Sequence, residues 1–252
     1  MCRAAIPGRS VLKKQQRMKN LSLHDLKEGL LHLFYPRLCE GCNRPLIAAE
    51  FVVCIGCDAQ IPETRYHDMP DNETAMRFAG RVPFTKATSF AYFTDDSLLQ
   101  HLLHGLKYRH NKDIARYLGR RFANSLAASD WLSAVDMIVP VPLHRKREAE
   151  RGYNQSMTLA ETMAKHAGIV ARADTLVRVR ATESQTRKTR AERAENMAGA
   201  FAVRNAPEMK GKHILIVDDV LTTGATIEAC AQALMAVENV KISIATIGIA
   251  VS

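Results

Sequence analysis

The sequence predicts an α/β protein, a parallel sheet flanked by helices with a small four-cysteine module in front of it. Three observations carry that expectation. From residue 135 onward, short aliphatic runs alternate with helical patterns, which is how a parallel sheet covered on both faces reads. One of those runs, Ile214 to Val217, leads straight into two aspartates and then Thr-Thr-Gly-Ala-Thr at the head of a helix. Near the amino terminus, Cys39-x2-Cys42 is followed after eleven residues by Cys54-x2-Cys57.

The 252 residues suit one generous domain, or one of ordinary size with a small satellite, and a hydrophobic content of 47% can fill its core. A net charge of +9 points to an anionic partner, nucleic acid or a phosphorylated metabolite. Residues 1–20 hold six basic side chains and no acid, however, and without them 29 basic residues face 26 acidic ones. The body is only mildly basic. The first stretch reads as a disordered basic tail whose role stays open, and Met18 stands beside Met1 as an alternative start. It lacks the apolar core of a signal peptide, and no run reaches the roughly 18 apolar residues of a membrane helix. A soluble cytoplasmic protein is expected.

In chain order, Leu recurs at helical spacing over 21–34 and Pro36 stops that helix before the cysteines. Reduced cytoplasmic thiols favour metal over disulfide. Two Cys-x2-Cys knuckles complete the tetrahedral sulfur shell that zinc prefers, so Cys39, Cys42, Cys54 and Cys57 are expected to hold one structural Zn2+ with no position left for catalysis. Gly41 and Gly56 sit inside the knuckles, where amides turn toward sulfur. The helix and cysteine module occupy 21–62, and 63–95 reads as a linker rich in turn residues followed by one or two strands or a hairpin over 82–94. The main domain spans 96–252. Ser97 caps a leucine-rich helix there, Asp113 caps another through Leu126, and a helix over 155–167 stops at Gly168. Short strands are expected at 135–141, 176–179, 200–203, 214–217 and 242–251, with a helix over 226–237 whose Cys230 reads as a small core residue.

Ligands of doubly wound sheets sit beyond the carboxyl ends of strands, so Asp218 and Asp219 stand at the crevice. Thr222, Thr223, Gly224, Ala225 and Thr226 follow at a helix amino terminus, where free amides and the dipole hold a phosphate. Acids beside a phosphate serve ribose hydroxyls and a magnesium ion. Neither Gly-x4-Gly-Lys-Ser/Thr nor Gly-x-Gly-x2-Gly occurs.

The hydrophobic strand, paired acids and Thr-Thr-Gly-x-Thr resemble the phosphoribosyl pyrophosphate motif of type I phosphoribosyltransferases. Residues 138–156, IVPVPLHRKREAERGYNQS, resemble the Val-Pro-Val-Pro and Arg-Gly-Tyr-Asn-Gln region of the competence protein F (ComF) family, and Thr182 to Phe201 resembles its Thr-x2-Gln, Arg-x2-Asn and Ala-Phe pattern. Leu106-Lys107-Tyr108 and the four cysteines fit as well. Lys188 stands where that family has an apolar residue, and residues 61–90 lack a second cysteine pair, which implies one zinc.

The resemblance implies a type I phosphoribosyltransferase fold that binds phosphoribosyl pyrophosphate with Mg2+. Asp218 and Asp219 would contact ribose and metal, and residues 222–226 the 5-phosphate. A basic loop with Lys107, Arg145, Arg151, Tyr153 and Asn154 would hold the pyrophosphate. A flexible lid would carry Gln185, Arg193 and Asn196. The resemblance further implies a role in DNA uptake, with single-stranded DNA and other competence proteins as partners and homo-oligomerisation left open. Two classes of function remain: transfer of phosphoribosyl to an unknown acceptor, or non-catalytic binding of nucleotides or single-stranded DNA. No base-binding loop follows 242–251, which favours the second; few aromatic residues stand near positive charge, which favours the first.

Overall fold

The computed structural model describes residues 36–129, 131–180 and 199–251. The expected tail over 1–20, the helix over 21–34 and the lid residues Gln185, Arg193 and Asn196 lie outside them. The described chain runs α1 (Ile55–Asp58), α2 (Glu73–Phe78), β1 (Lys86–Phe93), α3 (Leu98–Tyr108), α4 (Lys112–Ala128), β2 (Met137–Pro140), α5 (Arg145–Arg151), α6 (Gln155–Ala167), β3 (Val170–Ala171), β4 (Leu176–Arg178), β5 (Phe201–Val203), α7 (Ala206–Met209), β6 (His213–Leu221), α8 (Ala225–Met235) and β7 (Lys241–Ala250).

Five strands form one parallel sheet in the order β1-β7-β6-β2-β3. Its centre is β6, whose aliphatic residues alternate between two cores: Ile214 and Ile216 on one face, Leu215 and Val217 on the other. A strand packed on both faces must be apolar at every position, which is why this run shows no alternation. The Leu215 and Val217 face is covered by α3, α4 and α6 through Leu99, Leu102, Leu106, Leu118, Phe122, Leu159 and Met163, all essentially without exposed surface. The Ile214 and Ile216 face is covered by α8 and α2 through Ile227, Leu234 and Phe78.

Several boundaries differ from expectation. Residues 86–93 make a single strand, not a hairpin, and β1 pairs in parallel with β7 as an edge of the main sheet. The sheet therefore begins before residue 96. Nor are the turn residues preceding it idle. Asn72 caps α2 through its side-chain oxygen and donates from Nδ2 to the carbonyls of Tyr66, Met69 and Ala87 at 3.1, 2.7 and 2.8 Å. The runs at 176–179 and 200–203 pair with each other as an antiparallel ribbon, β4 with β5, outside the main sheet. Asn111, not Asp113, caps α4, and Asp113 sits in the first turn, where a carboxylate still meets the favourable end of the dipole. The basic loop after β2 is a short helix, α5, stopped by Gly152 at φ 68°.

The cysteine module is built into the same core. Cys39, Val52, Val53, Cys54 and Ile61 join Phe90, Leu99 and Leu102 in one buried cluster, and Leu38–Ser252 is one compact unit. Polar ties run alongside: Asp58 accepts from Tyr117 and Arg121 of α4, and Arg121 also reaches Glu63. Among the described residues no helix is long and apolar enough to cross a membrane.

Candidate functional site

At the carboxyl end of the sheet, β6 extends through both aspartates, so Asp218 and Asp219 are strand residues held by the ladder to β7. Asp218 Oδ1 accepts from Ser156 Oγ at 2.9 Å and from the Asp219 amide at 2.9 Å. Asp219 Oδ2 lies 2.8 Å from Lys107 Nζ in the last turn of α3, with both side chains mostly buried. Loss of water around Asp218, and then the neighbouring Asp219 charge, push its carboxyl up to about 7 despite the donors at Ser156 and the Asp219 amide.

The loop that follows is shaped from behind. Gly224 stands at φ 79° as the residue before α8, and a Cβ there would meet Phe78 at 3.0 Å, so both conformation and space call for glycine. The carbonyls of Thr222 and Thr223 turn inward: Arg77 donates to Thr222, and Arg81 donates to Thr223 at 2.9 Å while its other nitrogen pairs with Glu228. Thr222 is exposed, Thr223 and Thr226 are half-buried, and Gly224 and Ala225 are buried. The loop carbonyls are thus pinned to arginine, and the Ala225 amide at the head of α8 donates to Thr223 Oγ1 at 3.5 Å.

The five residues expected to hold pyrophosphate fall in three places. Lys107 is in the site, on Asp219. Arg145 is exposed on α5 and lines a cavity of about 490 Å3 with Arg178 of β4. Arg178 carries a guanidinium whose pKa is lowered by burial and then by Arg147 nearby. Each of the remaining three makes a hydrogen bond within the protein. Arg151 donates to Gln155 at 3.1 Å. Tyr153 is buried, and its hydroxyl donates to the Leu106 carbonyl at 2.6 Å. Asn154 caps α6 and donates to the Val141 carbonyl at 3.1 Å. These contacts fasten the ends of β2, α3 and α6 together around the acid pair.

The four cysteine sulfurs lie within 4.8 Å of one another, three of them buried and Cys42 exposed. Burial raises the Cys39 thiol, but amides of Cys54, Cys42 and Gly41 aimed at the sulfur outweigh it and bring it to about 6. Burial and then the surrounding thiols push Cys57 up. Four soft donors in one cluster, one of them with backbone amides aimed at its sulfur, fit a tetrahedral metal such as zinc. Of the two knuckle glycines, only Gly41 is forced: a Cβ would stand 2.7 Å from Leu98 Cδ1 and 2.8 Å from Cys57 Sγ, whereas at Gly56, inside α1, the nearest atom is 3.9 Å away. Cys230 is a buried core thiol, as expected, held above its usual range by burial.

Comparison with known proteins agrees with this geometry. Residues 154–252, from the cap of α6 through β7, match the phosphoribosyl transferase domain model. The chain is 31% identical over 215 residues to the DNA utilization protein YhgH of Salmonella typhi, covering 81% of this chain and 92% of that protein. It belongs to the competence protein F family. The Haemophilus influenzae competence protein F is 24% identical, covering 85% of this chain and 92% of that one. Competence protein ComFC of Bacillus subtilis is 28% identical over 79% and 71% of the two chains. The fold is that of a type I phosphoribosyltransferase, with the clustered cysteines at its amino-terminal side.

For this ComF family chain, sequence reasoning missed Ser156, Arg77, Arg81 and Glu228. Ser156 was within reach, since it ends the Tyr-Asn-Gln-Ser stretch. The two arginines gave no signal, because their partners are main-chain carbonyls 145 and 142 residues away.

Proposed function

We propose that this protein binds phosphoribosyl pyrophosphate with Mg2+ at Asp218 to Thr226 and serves the uptake or use of DNA, in keeping with the roles named for its relatives. The observation that carries the reading is the junction of β6 and α8: two acids at the end of a central strand, then a glycine in left-handed conformation and a helix amino terminus. Asp218 and Asp219 would hold the magnesium ion, which would supply neutralisation of pyrophosphate charge. The chain's own residues do the positioning. Ser156 orients Asp218 toward ribose and metal, Arg77 and Arg81 hold the loop carbonyls away from the phosphate, and Lys107 supplies a cation beside Asp219 that can follow the pyrophosphate.

The cysteine cluster is proposed to hold one structural Zn2+. Whether the bound sugar phosphate is transferred to an acceptor or held as a signal for a binding function is decided by the same preparation, through release of pyrophosphate. A thermal-shift titration tests the ligand. Phosphoribosyl pyrophosphate with magnesium should raise the melting temperature, and Asp218→Asn with Asp219→Asn should abolish the rise. The absence of any shift in the unaltered protein would overturn the reading.

A further inference from the structure

A second cavity, of about 480 Å3, opens between α4, α6 and the edge of the cysteine module, and none of its lining residues belongs to the phosphate loop or the acid pair. Its walls carry Lys112, Arg116 and Arg120 from α4, Lys165 and Glu161 from α6, and Phe51 from the module. The helices that bound it are pressed together at their middles, where a Cβ on Gly119 would meet Thr162 at 3.2 Å and the Leu159 carbonyl at 3.3 Å. Cations on the two shoulders therefore face one gap.

The charge pattern there is unfavourable without a ligand. Lys112, Arg116 and Arg120 recur every fourth residue and stand one above the next on a single stripe, an arrangement that destabilises a helix. Among the described residues, only Arg116 of these three has a carboxylate within ion-pair distance, Asp113 at 2.6 Å. Among the described residues Lys112, Arg120 and Lys165 have no ion pair, Lys112 lying instead over the Tyr153 ring at 5.0 Å. Four cations against one lining acid select an anion bearing several charges. The volume falls within the roughly 300–1,000 Å3 of small-molecule sites, which favours a compact polyphosphate over an extended strand. Phe51 is 47% exposed at the rim and offers a ring face on which a base can stack.

We propose that this cavity is a second nucleotide site, taking a nucleoside polyphosphate with its phosphates on α4 and α6 and its base on Phe51. It is independent of the phosphate loop. A free nucleotide and a nucleic-acid strand share this chemistry, and the experiment separates them.

The full chain is titrated at low salt with ATP, with inorganic tripolyphosphate and with a short oligothymidylate, by calorimetry. ATP should bind, and Arg120→Glu with Lys165→Glu should weaken it by about tenfold or more, while the melting shift given by phosphoribosyl pyrophosphate and magnesium is unchanged. The milder Arg120→Gln with Lys165→Gln should weaken it in the same direction, should the reversal fail to fold. Phe51→Ala should weaken ATP but not tripolyphosphate. No ATP binding, ATP binding indifferent to both charge variants, or ATP binding lost in Asp218→Asn with Asp219→Asn would each overturn the proposal. So would charge variants that weaken the oligonucleotide alone.

Discussion

Replacing Gly41 and Gly56 by alanine, one at a time, separates two residues that the sequence presents as equivalent. At Gly41 the new methyl would lie 2.7 Å from Leu98 Cδ1 and 2.8 Å from Cys57 Sγ. Leu98 can swing aside at modest cost. Cys57 cannot, because its sulfur is one of four that must converge. Overpacking of this kind costs about 1–3 kcal/mol, and at about 2–4 °C per kcal/mol for a chain of this size the melting temperature should fall by several degrees. Displacement of one thiolate should also speed metal release to a chromogenic chelator. Gly56 lies in α1 with no atom closer than 3.9 Å, so alanine there should be neutral or stabilising by about 0.5–1 kcal/mol. Equal melting temperatures and equal metal release for the two variants would refute the crowding argument and with it the geometry assigned to the cysteine cluster.

Asp218 has a folded-state pKa raised above its unfolded value, so its contribution to stability is present at low pH and lost as pH rises toward about 7. Asp218→Asn should therefore raise the melting temperature of the ligand-free protein more at pH 8 than at pH 5; a difference that is flat with pH counts against a desolvated acid pair. Arg81→Ala removes the donor to Thr223 and leaves Glu228 in a mostly buried position without its partner, which should cost about 1–3 kcal/mol and flatten the response to phosphoribosyl pyrophosphate in a thermal-shift assay. Tyr153→Phe should lower stability by about 1–2 kcal/mol without changing that ligand response, because its hydroxyl is engaged by Leu106; a weakened response would return Tyr153 to the pyrophosphate site. Removing metal with a strong chelator should unfold the whole described unit in a single transition, since Cys39, Cys54 and Cys57 belong to the core shared with α3 and α4.

What could be read from the chain alone followed from local chemistry. The run Ile214 to Val217 can only be a strand buried on both faces, and the acids, threonines and glycine after it each have a chemical reason to stand there. The cysteine spacing is equally local. Contacts across the chain were not legible. Residues 176–179 and 200–203 are short apolar runs like the sheet strands, and nothing in their composition says that they pair with each other. Arg145, Arg151, Tyr153 and Asn154 occur together in one motif, yet the last three have their side chains bound within the fold. A basic or polar cluster reveals its charge in sequence but not its direction. Lys107 was singled out as an anion ligand, and the structure gives it an acid instead, a partner that a bound pyrophosphate could replace.

β1 enters the sheet from ahead of the segment that looked like the start of the main domain, and its pairing with β7 runs from Lys86 beside Ser243 to Phe93 beside Ala250. A fragment cut at residue 96 would keep every residue of the phosphate loop and still be a poor reagent. Its last strand, with eight consecutive buried positions, would become a long, flat, apolar edge with unsatisfied amides, the kind of surface on which chains add to one another. Bacterial expression of such a fragment should yield aggregates, whereas cutting instead at residue 38, ahead of the cysteines, keeps that border closed.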